Sequence, residues 1–251
     1  MTDLHVLELG RGPRVVLVHG SIYDGPSTWS RQLPLADRFH LVIPDRRGYG
    51  GSPDDGREDF AVDAADIGQL LGGGAHVVGH SYGGVVALVM AAQRPDEIRS
   101  LTVIEPPAFS VARGNPAVEA SVAGLADWSA RAATMPPEEY LRIFLTIVGI
   151  DASRLPSPLP RELARGAARL ATHRSPVEAG IPLDVLAAAP FPKLVVSGNH
   201  DPGVEAICDV LAQRLPAERA VIAGKGHAVQ ASGEPFNELL AAFILRAEAR
   251  D

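Results

Sequence analysis

With one cysteine, Cys208, in 251 residues, the chain cannot close an internal disulfide. Its place in an amphipathic helical pattern makes that thiol a small core residue rather than a reactive one. Neither end carries a basic run and the formal net charge is −7, which removes the electrostatic footprint of a nucleic-acid binder. Long apolar runs are also missing: the longest, around residues 143–150, is far too short to cross a bilayer, so no membrane partner is expected. The opening Met1-Thr2-Asp3-Leu4-His5 has no basic segment leading into an apolar one, so a cytoplasmic location is the default expectation. Nor does any internal repeat occur. What is present is ordinary for a globular protein, 46% hydrophobic and 21% charged, which excludes disorder and allows one sizeable core domain with room for an insertion.

Short β-rich runs alternate with helical patterns, the mark of parallel strands joined by crossover helices. The expected strands are residues 15–18, 41–43, 76–78, 101–104, 194–196 and 220–222, and residues 4–9 are expected to form an antiparallel edge hairpin with the first. Nearly continuous branched apolar residues suit strands covered on both faces, so the fold class is α/β with a mostly parallel sheet and helices on either side. Between Ile104 and Leu194 this rhythm stops for about ninety residues, far beyond a normal crossover. Helical patterns at residues 117–133, 137–148 and 161–171, set apart by Met135-Pro136-Pro137 and by the proline cluster from Leu155 to Pro160, predict an inserted helical cap over residues 109–190. Residues 1–108 and 191–251 then form the core domain.

The chemistry is concentrated where Ala75-His76-Val77-Val78 runs into Gly79-His80-Ser81-Tyr82-Gly83-Gly84 and then into a helix-forming stretch. A strand, a sharp turn and a helix with serine at the tip present a hydroxyl at a helix N-terminus, where unpaired N–H groups stabilise negative charge on an attacked carbonyl. The bland alternative is a tight turn with an incidental serine. Serine needs an imidazole to take its proton, and His227 follows the last strand in the glycine-rich Ala223-Gly224-Lys225-Gly226-His227, at the same sheet edge as Ser81. His5, His40, His76 and His173 are worse placed. The imidazole in turn needs a carboxylate. Asp201, just past the strand ending near Val196, is the expected acid; its bland reading is a turn or helix cap before Pro202. Glu105, at the end of the strand before the insertion, is the rival.

With nucleophile, acid and histidine in that order, each after a parallel strand, the chain resembles the α/β-hydrolase superfamily over nearly its full length. The resemblance rests further on His19-Gly20-Ser21, on the run from Asp45-Arg46-Arg47 to Gly51-Ser52, and on Gly198-Asn199-His200-Asp201. It implies that the backbone N–H groups of Ser21 and Tyr82 form an oxyanion hole. The segment from Asp45 to Ser52 is read as structural turn chemistry.

Gly72-Gly73-Gly74 and Gly224-Lys225 lack the context of phosphate loops, and His76 and His80 do not share a helix face, so neither cofactor nor metal is expected. Tyr23, Phe109, Trp128, Tyr140 and Phe144 are candidate walls of an apolar pocket for a small or medium acyl substrate, although Tyr140 and Phe144 at helical spacing suit a buried stripe equally well. The expected activity is cofactor-independent serine hydrolysis of an ester, thioester or lactone, with acyl transfer a variant. Carbon–carbon bond hydrolysis, perhydrolysis and hydroxynitrile lysis on the same triad remain alternatives, as does a ligand receptor or scaffold that retains the fold. Serine at position 81 disfavours the haloalkane dehalogenase and epoxide hydrolase branches, which use aspartate there. Composition leaves the oligomeric state open.

Overall fold

A computed structural model describes residues 3–54, 56, 58–132 and 134–250. Its sheet is built from β1 (Val6–Leu9), β2 (Arg14–Val18), β3 (His40–Pro44), β4 (Ala75–His80), β5 (Ile98–Ile104), β6 (Lys193–Ser197) and β7 (Glu218–Val221). The spatial order is β1-β3-β2-β4-β5-β6-β7. Every neighbouring pair is parallel except β1 with β3.

The edge strand departs from expectation in its partner. β1 is antiparallel and at the edge, but Val6 lies opposite Pro44 and Leu9 opposite Leu41, so it pairs with β3 rather than β2. Both flanks of β2 are already taken by parallel β3 and β4. The chain therefore steps over β3 through Gly10 and Gly12, both at positive φ, and a Cβ on Gly12 would stand 2.7 Å from the carbonyl oxygen of Arg38.

Because side chains alternate along a strand, each central strand feeds two cores. Val16, Val18, Val77, Val103 and Val195 face α2 (Phe60–Gly68), α3 (Tyr82–Gln93) and α8 (Pro202–Arg214). Val15, Leu17, Val78, Ile104 and Val196 face Phe236, Leu240, Phe243 and Ile244 of α9 (Glu234–Glu248), together with Trp29 beside the short α1 (Gly25–Thr28). α3 runs under the sheet with every residue from Tyr82 to Ala91 buried, which explains its lack of a polar stripe.

At the end of β4, Ser81 has φ 53° and ψ −126°, and α3 begins at the next residue. Its N–H donates to the Ile104 carbonyl at 2.9 Å, pinning the turn to β5. The turn closes only because its flanks lack side chains. A Cβ on Gly79 would land on the carbonyl oxygen of Gly83, and one on Gly83 would land on the carbonyl oxygens of Val18 and His19.

Between β5 and β6 the described residues form only helices and turns: α4 (Pro116–Ser129), α5 (Pro137–Ile147), α6 (Arg161–Leu170), a short unexpected α7 (Leu183–Ala188), and single 3-10 turns. α4 stops at Ser129, earlier than the sequence pattern implied, and Ala133 lies outside the described residues. Trp128, Tyr140, Leu141, Leu145, Ala167 and Leu170 form a third apolar cluster with Ile22 from the β2–α1 loop. Within it Trp128 stacks on Tyr140, ring centroids 4.0 Å apart and nearly parallel at 17°.

Gly83→Ala should destabilise the protein by roughly 2–4 kcal/mol, since the new methyl meets backbone that no side-chain rotation can move. Denaturant unfolding of the variant checks it. The same substitution at Gly124, where a Cβ meets nothing within 4 Å, should leave the midpoint unchanged or raise it.

Candidate active site

Parallel pairing from β4 to β7 gathers the segments that follow these strands at one carboxyl edge. Ser81 follows β4, Glu105 follows β5, and His227 lies on the loop after β7. His227 Nε2 is 2.8 Å from Ser81 Oγ, and His227 Nδ1 is 2.7 Å from Glu105 Oε2. A carboxylate only accepts, so Nδ1–H donates to Glu105 and Nε2 is left to accept from the serine hydroxyl.

The Glu105 carboxylate is wholly buried. Its Oε1 accepts the Gly198 N–H at 2.5 Å and lies 3.3 Å from His200 Nδ1. Burial alone would raise its pKa, but the contacts from His200, His227 and the Gly198 amide outweigh burial and hold it down at about 2. Glu105 is therefore an anion throughout the range in which histidine titrates.

Asp201 does not stand where the sequence reading put it. It is the N-cap of α8, its Oδ1 accepting the Val204 N–H at 2.8 Å, with Pro202 in the first helical position. The reason is local. β6 ends at Ser197, Asn199 turns the chain at φ 54°, and a Cβ on Gly198 would strike the Gly226 carbonyl. Aspartate is thus carried four residues beyond the strand into a helix start. The longer Glu105 side chain, with its backbone at φ 47° and its N–H tied to the Val196 carbonyl at 3.0 Å, reaches the imidazole from the neighbouring strand. Glu105, the rival in the sequence, occupies the position expected of Asp201.

Beneath the site, His80 Nε2–H donates to the His227 carbonyl at 2.9 Å and steadies that loop. Burial, helped by the neighbouring His227, drives the His80 pKa down to about 3, so His80 stays neutral.

Ser21 and Tyr82, the two expected oxyanion donors, both line a cavity of about 520 Å³ together with Ser81 and His227. Tyr82 opens α3, where helix geometry leaves N–H groups without intrahelical acceptors. The loop bearing Ser21 comes very close to the nucleophile: a Cβ on Gly20 would be 3.0 Å from Ser81 Cβ. What holds this loop escaped the sequence reading. The fully buried Arg46 donates to the His19 and Gly20 carbonyls at 3.0 and 2.9 Å and pairs with Glu58 and Asp63 at 2.6 Å each. Glu58 also receives the Tyr49 hydroxyl at 3.0 Å, and its Oε1 lies 3.4 Å from Ser21 Oγ. Burial works against the Glu58 charge, but Arg46 overrides it and lowers the pKa; at Asp63 burial prevails and raises it to about 6. The run from Asp45 to Ser52 is structural, as its turn chemistry implied, with Arg46 as its buried anchor.

Of the candidate pocket residues, Phe109, Trp128 and Phe144 line the large cavity. Tyr23 lines a second cavity of about 270 Å³ that also reaches Ser81, His227 and Phe144. Tyr140 lines neither; it is buried under Trp128, whose Nε1–H donates to its carbonyl at 3.2 Å. Of its two readings the buried stripe holds. His173, set aside in the sequence, lines the large cavity and meets the Tyr82 ring edge-on with centroids 5.9 Å apart. Among the described residues, Glu105, His200 and His227 bring ligand-type atoms within 4.8 Å of one another, the spacing their own mutual contacts produce.

A sequence profile described as the alpha/beta hydrolase family matches residues 15–241. The chain belongs to this family. As an alpha/beta hydrolase it is 29% identical over 246 residues to a pimeloyl-[acyl-carrier protein] methyl ester esterase of Aeromonas hydrophila, a match that covers 93% of each chain. It is 36% identical over 110 residues to the lipase LipV of Mycobacterium tuberculosis, there covering 41% of this chain and 42% of the lipase. Among solved structures, an alpha/beta hydrolase from Sphaerobacter thermophilus superposes with a TM-score of 0.73 over 96% of both chains at 24% identity, which speaks for the fold alone.

Asp201→Ala in this hydrolase should cost about 1 kcal/mol of stability through the lost helix cap. Thermal unfolding measures the loss, and turnover is expected to stay within a few-fold of the parent.

Proposed function

We propose that this alpha/beta hydrolase is a serine hydrolase of carboxylic esters and related acyl compounds, with Ser81 as nucleophile, His227 as base and Glu105 as the acid that orients it. The observation that carries this reading is the unbroken chain Ser81 Oγ, His227 Nε2, His227 Nδ1, Glu105 Oε2, with links of 2.8 and 2.7 Å, opening into an apolar cavity. Ser81 Oγ attacks the acyl carbon as its proton passes to His227 Nε2, and the carbonyl π pair moves onto oxygen. That oxyanion is held by the N–H groups of Tyr82 and Ser21. Glu105 stabilises the imidazolium without taking a proton from it. His227 then gives its proton to the departing alkoxide or thiolate. A water deprotonated by the same nitrogen releases the acid and restores Ser81.

The larger cavity is the acyl site in this reading. Phe109, Leu125, Trp128, Phe144 and Val148 give it an apolar wall, and among its described lining residues there is no lysine or arginine to pair with a second carboxylate. Its volume of about 520 Å³ accepts a medium acyl chain. The smaller cavity runs along the loop from His227 to Ala231 and carries Ser27, Thr28, Ser30 and Arg31. A leaving group there stays within reach of the proton on His227, so a small polar alcohol is its natural occupant. The helices of residues 109–190 act as the cap that shapes both chambers. The esterase and lipase named above support ester chemistry at the level of relatives.

Ser81→Ala should abolish labelling by a fluorophosphonate and lower ester turnover by up to about a millionfold while the protein remains folded. Glu105→Gln should cost on the order of 10³–10⁴ in kcat through loss of the orienting charge. Undiminished turnover in either variant removes that residue from the mechanism. Phe144→Ala, which opens the wall shared by both cavities, should move the optimum of a p-nitrophenyl ester series to longer acyl chains, with kcat/KM for the acetate ester changed less than threefold. An unchanged chain-length profile in a stable variant assigns Phe144 to the cap's own packing.

A further inference from the structure

We propose that His200 is a positioning residue of this site, standing against the second oxygen of Glu105 and setting, across that carboxylate, how far into acid His227 can accept the serine proton. The proposal rests on the assignment of Glu105 and His227 above. Glu105 has one carboxylate and two imidazole neighbours. Oε2 meets His227 Nδ1 at 2.7 Å, and Oε1 lies 3.3 Å from His200 Nδ1 while accepting the Gly198 amide. The two rings stand edge to face with centroids 5.9 Å apart. His200 also lines the large cavity, so its charge is felt where the substrate sits.

The surroundings of His200 favour its charged form. Glu105 faces it from the end of β5, Asp201 adjoins it in sequence, Glu205 acts on it from α8, and His227 is the opposing basic group. Just beyond the end of α5, Gly149, at φ 70°, is so close that a Cβ there would be 2.8 Å from His200 Cδ2. The contact with Glu105 raises the His200 pKa above the ordinary histidine value, burial opposes this, and the charges of Glu105, Asp201 and Glu205 add to the rise. A positive ring at this distance penalises a second positive charge on His227. It also draws part of the Glu105 field away from His227. Both effects bear on the acid limb of activity, which they extend to lower pH. The ring is clamped as well: Gly149 of the cap seats against it on one side, and a Cβ on Gly226, the residue before His227, would stand 3.0 Å from the Gly149 carbonyl oxygen.

The test is a pH–rate profile of kcat/KM on a neutral p-nitrophenyl ester for the parent, His200→Gln, His200→Phe and Glu105→Gln. Loss of the ring's charge should move the acid limb up by about 0.5–1 pH unit in both His200 variants, the size expected for unit charges about 6 Å apart at a partly wet site. Gln keeps a polar donor beside Oε1 where Phe has none, so at high pH its kcat should lie nearer the parent than that of Phe. A merely structural role would lower turnover at every pH and leave the limb in place; an unmoved limb, or one moved downward, overturns the proposal. Failure of the underlying assignment looks different, because Glu105→Gln would then be nearly silent. Imidazole ¹⁵N shifts in the otherwise intact Ser81→Ala protein give a reading that does not depend on the His200 variants folding. His200 must titrate above the ordinary histidine value there, and a titration below it equally overturns the proposal.

Discussion

The serine turn is possible only because three backbone segments meet without side chains between them. Ser81 sits at a φ that L-residues rarely adopt, and the strain is held by the surrounding chain: its N–H is bonded to β5, Gly79 closes on Gly83, and Gly83 closes on the end of β2. The same approach that exposes the hydroxyl also brings the His19–Ser21 loop against Ser81, so Ser81 and the candidate oxyanion donors are placed by one packing event. Arg46 completes it from below. Its guanidinium gives hydrogen bonds to two loop carbonyls and is neutralised by Glu58 and Asp63, turning a flexible polar loop into a fixed one. Buried ion pairs of this kind contribute little net stability but are costly to break by halves, and here the geometry they hold lies beside Ser81.

Much of this was legible in the chain. Strand positions, sheet class, the serine turn and the histidine loop follow from apolar runs and glycine placement, because those patterns record local sterics and burial on both faces. The partner of β1 was not legible, since an edge strand carries no mark of which neighbour has a free flank. Nor was the acid. Asp201 and Glu105 both follow parallel strands at the same edge, and only the path of residues 198–201 decides between them. Two features of the sequence bear on that choice: Pro202 directly after Asp201 is a helix-start signal that claims the aspartate as a cap, and glutamate directly at the end of β5 has the extra methylene needed to reach across to the imidazole. Arg46 and Glu58 were hidden for a different reason, because charged residues in a turn-rich segment look solvated until the loop they hold is folded over them.

Two histidines, His227 and His200, stand against the two oxygens of the Glu105 carboxylate. With Glu105 held at about 2, the negative charge that faces His227 is constant across the range in which histidine titrates. The cap enters this arrangement at Gly149, where backbone rather than a side chain touches His200, so the contact is set by the position of α5 and not by a rotamer.

Placing the acid after β5 also changes how the active site is distributed along the chain. Ser81 and Glu105 both precede the helical insertion, and His227 follows it. A single cut anywhere between α4 and α7 would leave Ser81 and Glu105 on one fragment and His227 on the other, so that neither half retains an imidazole beside Ser81 of the kind His227 supplies. Had the acid come from the loop after β6, the amino-terminal piece would hold the serine alone. Reassembly of the two fragments through the β5–β6 pairing would then be read directly in the return of the two hydrogen bonds that link His227 to Ser81 and to Glu105, which makes the insertion a natural seam for a split enzyme.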